Sequence, residues 1–265
     1  MLVSIDGRRT YYDLAGPDDA PVVAMGHSLA SDSGMWGEQM APLLGAGFRV
    51  LRIDSRGHGG SDGPKSDYTM DQLADDIAAV IRALGIDRVH YVGLSIGGMF
   101  GQGFAIRHGE LVRSLMLCDT LAGTPPAAKE AWGQRIEAVS KANSVAAVAD
   151  ATMERWFTDA FKAKNPARWN QIHATICATT PVGFLGCAAA IRDFDYAAKI
   201  GAIRAPTLVV CGSNDPGTPP AANRQIAQTI PGAQYEEIAN ARHFPNVERA
   251  DVFNKIMMGW LQSRR

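Results

Sequence analysis

The 265-residue chain reads as an α/β protein, a mostly parallel sheet covered by helices on both faces. Three observations predict this. Short apolar runs of strand length at residues 22–25, 48–53, 89–92, 115–118 and 208–211 alternate with stretches of helical periodicity. Continuous apolar runs of this kind suit strands buried on both faces. A sharp turn, Gly93-Leu94-Ser95-Ile96-Gly97, joins the run 89–92 to a Gly-rich helical stretch. Residues 124–198 lack strand character altogether, and strands return only at 207–211, so an all-helical insertion falls late in the sheet.

Taken in order, residues 2–5 and 10–14 read as an edge hairpin turning at Asp6-Gly7. Thr69-Met70-Asp71-Gln72 has the form of a capping box. The helix behind it places Leu73, Ile77, Val80, Ile81 and Leu84 on one stripe, with Gly85 suited to its C-terminal end. A second helix runs from the serine turn to about His108. Its four glycines (97, 98, 101 and 103) make sense if it packs very close to the sheet. The insertion carries Trp132, Trp156, Phe157, Phe161, Trp169 and Phe184, most of which are expected to form its own core. A strand at Gln234–Ile238 and an amphipathic helix with Val252, Phe253, Ile256, Met257, Trp260 and Leu261 complete the chain. The expected division is a core of residues 1–123 and 199–265 with a helical lid of residues 124–198 over the carboxyl ends of the strands, where such sheets bind ligands.

Composition narrows the partners. At 46% hydrophobic, 20% charged and a formal charge of −1, the chain is an ordinary soluble globular protein without a basic stripe for nucleic acid. No run approaches the roughly 18 apolar residues that span a bilayer. The N-terminus carries Asp6, Arg8 and Arg9 and lacks a signal-peptide core. Cys118, Cys177, Cys187 and Cys211 lie in apolar contexts with no Cys-x-x-Cys spacing, and read as buried free thiols of a reducing compartment. A cytoplasmic protein with neither nucleic-acid nor membrane partners is expected. No Gly-rich phosphate loop or metal-ligand cluster is present, so neither cofactor nor metal is expected.

The chemistry centres on Ser95. A Gly-x-Ser-x-Gly between strand and helix lifts a hydroxyl out of the backbone at a helix N-terminus. A serine needs a base, and the base an orienting carboxylate. Asp215 follows the strand 208–211, and His243 follows Gln234–Ile238, each in a strand-end loop on the same sheet edge as Ser95. The developing oxyanion needs two N–H donors. Ile96, next to the nucleophile, and Leu29, in the loop Gly26-His27-Ser28-Leu29, are the candidates, with Ser28 able to add a hydroxyl contact. Asp54-Ser55-Arg56-Gly57-His58-Gly59-Gly60-Ser61 reads as an ion-paired, hydrogen-bonded loop supporting the floor of the site.

These pieces together resemble the α/β-hydrolase superfamily over nearly the whole chain. Within it the chain is most similar to the 3-oxoadipate enol-lactonases. The local matches are His27-Ser28-Leu29-Ala30 with Gly34-Met35-Trp36, Glu154-Arg155-Trp156-Phe157-Thr158, Gly186-Cys187-Ala188-Ala189, and Asn214-Asp215-Pro216-Gly217-Thr218-Pro219-Pro220. Two departures stand out: Ile96 where the lactonases usually carry Met, and the bulky Arg242 and Phe244 on either side of His243. The resemblance implies the α/β-hydrolase fold and a small enol-lactone substrate bearing a carboxylate, opened through an acyl-enzyme. It also implies a place in aromatic-compound catabolism by the β-ketoadipate route. The substrate carboxylate wants a cationic partner, for which Arg155, Arg192 and Arg242 are candidates, with Trp156 lining the pocket. A general carboxylesterase or an acyl-homoserine lactonase shares every catalytic residue and differs only in pocket shape. A ligand receptor on the same fold is a third reading. Dehalogenases and epoxide hydrolases carry a carboxylate at the elbow, where this chain has Ser95.

Overall fold

The computed structural model describes residues 1–264. Asp6 and Gly7, both at positive φ (49° and 75°), close the tight turn between β1 (Leu2–Ile5) and β2 (Arg8–Ala15), which pair antiparallel. The other strands are β3 (Val22–Gly26), β4 (Arg49–Ile53), β5 (Val89–Leu94), β6 (Val112–Cys118), β7 (Thr207–Gly212) and β8 (Gln234–Ile238). Their spatial order is β1-β2-β4-β3-β5-β6-β7-β8. β2 meets β4 antiparallel, and every pairing from β4 through to β8 is parallel. β3, β5 and β7 are buried along their whole length, which is why their sequences are apolar without alternation. β8, at the edge, exposes Gln234, Glu236 and Glu237.

β2 and β6 are longer than their apolar runs. The β2–β4 ladder continues to Ala15 opposite Val50, and β6 starts at Val112 opposite Val89, because main-chain pairing does not stop where hydrophobicity does.

The helices around the sheet are α1 (Gly37–Gly45), α2 (Met70–Ala83) and α3 (Ile96–Arg107), then α4 (Pro126–Ala142), α5 (Ala149–Trp156), α6 (Asp159–Lys164), α7 (Pro166–Ala178) and α8 (Pro181–Asp193) between β6 and β7, and finally α9 (Pro220–Thr229), α10 (Pro245–Glu248) and α11 (Ala250–Gln262). The capping box of α2 forms: the Thr69 hydroxyl accepts from Gln72 N–H (3.1 Å), and Gln72 Oε1 accepts from Thr69 N–H (3.0 Å). Such a cap stabilises a helix by about 1 kcal/mol. α1 and α9, which carry Pro42 and a Pro219-Pro220 start, lacked a clear helical signature in the sequence.

α3 lies directly on the sheet. A Cβ on Gly97 would collide with the Gly26 and His27 carbonyls, and one on Gly93 would collide with Gly97. The ends of the α4–α8 insertion meet where Tyr196 N–H donates to Ala122 O (2.7 Å) and Gly123 bridges to Asp195. All four cysteines are free, three of them buried and Cys177 half-buried. No single helix among the described residues is long and apolar enough to cross a membrane.

Candidate active site

Parallel strands bring their carboxyl ends to one edge, and Ser28, Leu29, Ser95, Asp215 and His243 all enter from there. Ser95, at the β5–α3 junction, has φ 60° and ψ −120°, a left-handed conformation costly for a side chain with a Cβ. The strain is held by contacts on both sides. Ser95 N–H donates to Cys118 O (2.9 Å), and the Thr120 hydroxyl donates to Ser95 O (2.8 Å). The hydroxyl has no protein partner among the described residues and faces a cavity of about 330 Å³.

Asp215 and His243 line the same cavity, with His243 Nδ1 and Asp215 Oδ2 2.7 Å apart. Asp215 also accepts from Gly217 N–H (2.8 Å), Thr218 N–H (3.1 Å) and the Thr218 hydroxyl. Burial alone would raise its pKa. The charge and hydrogen bond of His243 and the Thr218 donors outweigh burial, and the carboxyl titrates below the ordinary carboxylate range. The dyad therefore presents a committed anion to the back of the imidazole. Its Nδ1–H is directed at Asp215, which leaves Nε2 free to accept a proton.

The loop after β3 is pinned by two buried histidines from beneath. His27 Nε2 accepts from Ser55 N–H (2.8 Å), and its Nδ1 lies 2.7 Å from Ser28 O. His58 Nε2 accepts from Ala30 N–H (3.1 Å) while Nδ1 meets Arg56 O (3.0 Å). Burial, reinforced by His27, pushes the His58 pKa down to about 3, so the ring stays neutral and keeps its acceptor. Asp54 adds bonds from Ser33 and Gly60 N–H, and Arg56 pairs with Asp76. The Asp54–Ser61 loop is thus the support expected of it. Leu29 and Ser28 face the cavity, and the N–H groups of Leu29 and Ile96 donate to no other group among the described residues.

The candidate substrate-binding residues separate. Arg155 and Trp156 line the cavity. Arg192 does not; its guanidinium is taken by Asp193. Arg242 is a fastener: it donates to Glu154 O and to Phe157 O (3.0 Å), and its own N–H donates to Glu248 (2.8 Å). Phe244 stacks on Trp156 with ring centres 4.0 Å apart. The two unusual neighbours of His243 therefore bind the end of α5 to the histidine loop.

Arg135, from α4, was not distinguishable by sequence. It lines the cavity beside Arg155, stacks on Trp132 at 4.6 Å and has neither hydrogen bond nor ion pair among the described residues. Among the described residues the Arg155 guanidinium donates only to the Thr152 hydroxyl (3.0 Å). Burial lowers the pKa of both, and burial plus repulsion from Arg135 pushes Arg155 down to about 10. Both remain cationic at neutral pH, so two half-buried guanidiniums face the Ser95 cavity with no ion-pair partner among the described residues, the charge of Glu154 offsetting only part of the shift at Arg155. Apolar side chains form the rest of the wall, among them Met99, Leu121, Trp132 and Phe184.

A strained serine, an aspartate–histidine pair and a parallel sheet define a class, and the chain belongs to the α/β hydrolase family: the model of the alpha/beta hydrolase fold matches residues 21–250. Among characterised relatives it is similar to 3-oxoadipate enol-lactonase 1 of Acinetobacter baylyi, at 31% identity over 99% of this chain and 97% of that one. The crystal structure of an enol-lactonase from Burkholderia xenovorans superposes with a TM-score of 0.94 at 35% identity, covering 99% of this chain and 100% of the other. An N-acyl homoserine lactone degrading enzyme superposes with a TM-score of 0.85 at 29% identity, covering 98% and 99% of the two chains. The chain is thus a hydrolase whose relatives include enol-lactonases.

Proposed function

We propose that the protein is a serine hydrolase that opens a small enol-lactone carrying a free carboxylate, of the 3-oxoadipate enol-lactone type. The observation that carries this reading is the pair of guanidiniums, Arg135 and Arg155, that share the cavity of Ser95 and have no ion-pair partner among the described residues. Two like charges brought together and partly desolvated are unfavourable until an anion joins them.

Ser95 Oγ attacks the lactone carbonyl while His243 takes its proton, and Asp215 stabilises the resulting imidazolium. The tetrahedral oxyanion lies between the N–H groups of Leu29 and Ile96. The ring C–O bond then breaks and His243 returns the proton to the leaving enol oxygen, which stays tethered in the acyl-enzyme. Ketonisation of that enol makes ring opening hard to reverse. Water, deprotonated by His243, attacks the acyl-enzyme and releases the 3-oxo dicarboxylate and Ser95. Helices α4–α8 act as the lid: they supply Arg135, Arg155 and Trp156 and keep bulk water from the acyl-enzyme.

The apolar wall also suits an uncharged acyl chain, as in an acyl-homoserine lactone or a simple ester. The deciding experiment compares kcat/KM on the enol-lactone of 3-oxoadipate with kcat/KM on short neutral esters and acyl-homoserine lactones. The charged enol-lactone is expected to be preferred; a wide margin for the neutral substrates overturns the substrate assignment.

A further inference from the structure

A second carboxyl group stands behind the triad. Asp119, the residue after β6, is fully buried and adopts φ 44°. One of its carboxyl oxygens, one of Asp215 and a ring nitrogen of His243 all lie within 4.8 Å of one another. Asp119 Oδ1 accepts from Gly212 N–H at 2.8 Å, whereas Oδ2 is buried and, taken as a carboxylate oxygen, has no hydrogen-bond partner among the described residues. An orphaned acceptor in a sealed interior is expensive; the same oxygen carrying a hydrogen becomes a donor.

Two buried carboxyl groups in contact cannot both ionise. Their surroundings decide which keeps the proton. Asp215 faces His243 and three further donors from Gly217 and Thr218. Asp119 has one main-chain donor, Gly212 N–H, and the weak donor of the Cys211 thiol, and no Lys or Arg pairs with it among the described residues. Burial, and after it the charge of Asp215, raise its pKa well above the ordinary range. The Cys211 thiol, the other titratable group against it on β7, is itself held protonated by burial.

We propose that Asp119 is a neutral carboxylic acid that donates its Oδ2 hydrogen to Asp215 and so positions the carboxylate that orients His243. It is a positioning residue, since it does not reach the cavity. Its place in the fold suits the task. Cys118, Asp119 and Thr120 form a crosspiece at the end of β6: Cys118 O and the Thr120 hydroxyl hold the strained backbone of Ser95, while Asp119 holds the strand end that leads into the Asp215 loop. One short segment thus sets the nucleophile and the acid relative to each other.

The inference rests on the triad reading above, and its test separates the two. Infrared difference spectra of the wild type against Asp119→Asn at neutral pH are expected to show the deuterium-sensitive C=O stretch of a buried carboxylic acid, present only in the wild type. In steady-state assays Asp119→Ala is expected to lower kcat by about tenfold or more, as for loss of a hydrogen bond to a charged group, with KM nearly unchanged. Asp119→Asn keeps a donor toward Asp215 and an acceptor for Gly212, and is expected to restore most of that loss. Absence of the infrared band overturns the proposal, as does an Asn variant no more active than the Ala variant. Should Asp119→Ala fail to fold, the infrared arm still decides. An active Ser95→Ala enzyme would instead overturn the triad, whatever the band does.

Discussion

The α/β core and the α4–α8 insertion treat their charged groups in opposite ways. In the core, the groups that position the site are saturated: Asp215 has four donors, and His27 and His58 use both ring nitrogens. In the insertion, Arg135 and Arg155 face the same cavity with no ion pair among the described residues, although the chain spends Asp193 on Arg192 and backbone carbonyls on Arg242. Saturation gives rigidity, which suits groups that must hold geometry through a reaction. Unfilled donors give selectivity, which suits groups awaiting a ligand. On the proposed function, the core holds what breaks the bond, and the insertion holds what chooses it.

Breaking the core side of this comparison should cost most. Ser95→Ala is expected to lower kcat by on the order of 10⁴-fold or more on every substrate, measured with a short activated ester, while the protein stays folded. Asp215→Asn should lower kcat on all substrates by a comparable order, roughly 10⁴-fold, with little change in KM. Insertion-side changes should be smaller and selective. Arg155→Ala is expected to raise KM for the carboxylate-bearing lactone by about 10-fold to 100-fold and to leave neutral esters nearly unaffected. An equal effect on both substrate types would remove the distinction between the two regions.

A last effect concerns the pH dependence of stability and not the rate. The folded-state pKa of His58 is depressed to about 3, below its ordinary value of 6.5, so between these values the unfolded chain binds more protons. Its contribution to stability is therefore present above pH 6.5 and is lost as the pH falls toward 3. The expected slope is up to about 1.4 kcal/mol per pH unit. Urea unfolding at several pH values should show it, and His58→Gln should flatten the curve.

How much was legible in the sequence follows the same divide. Ser95, Asp215 and His243 were readable because each follows a strand of a parallel sheet, and topology alone carries strand ends to one edge. The pocket cations were not. Arg135 is one of several arginines on amphipathic helices, and nothing in its spacing says that α4 turns it inward with Trp132. Arg192 and Arg242 read equally well as carboxylate partners until Asp193 and the Glu154 and Phe157 carbonyls are seen to occupy them. Helix-to-helix packing in the insertion is set by side-chain fit, which one sequence shows only as a scatter of aromatics. Asp119 stood in view as a strand-end acid, the same signal that marked Asp215, yet its pairing depends on contacts between β6 and β7.

The most direct test of the central claim is a ratio. kcat/KM is measured for the carboxylate-bearing enol-lactone and for its methyl ester, in the wild type and in the Arg135→Ala/Arg155→Ala double variant. A preference for the free acid of about tenfold or more in the wild type, lost in the double variant, is the expected result. A wild-type preference for the ester, or a preference for the acid that survives removal of both arginines, would contradict it.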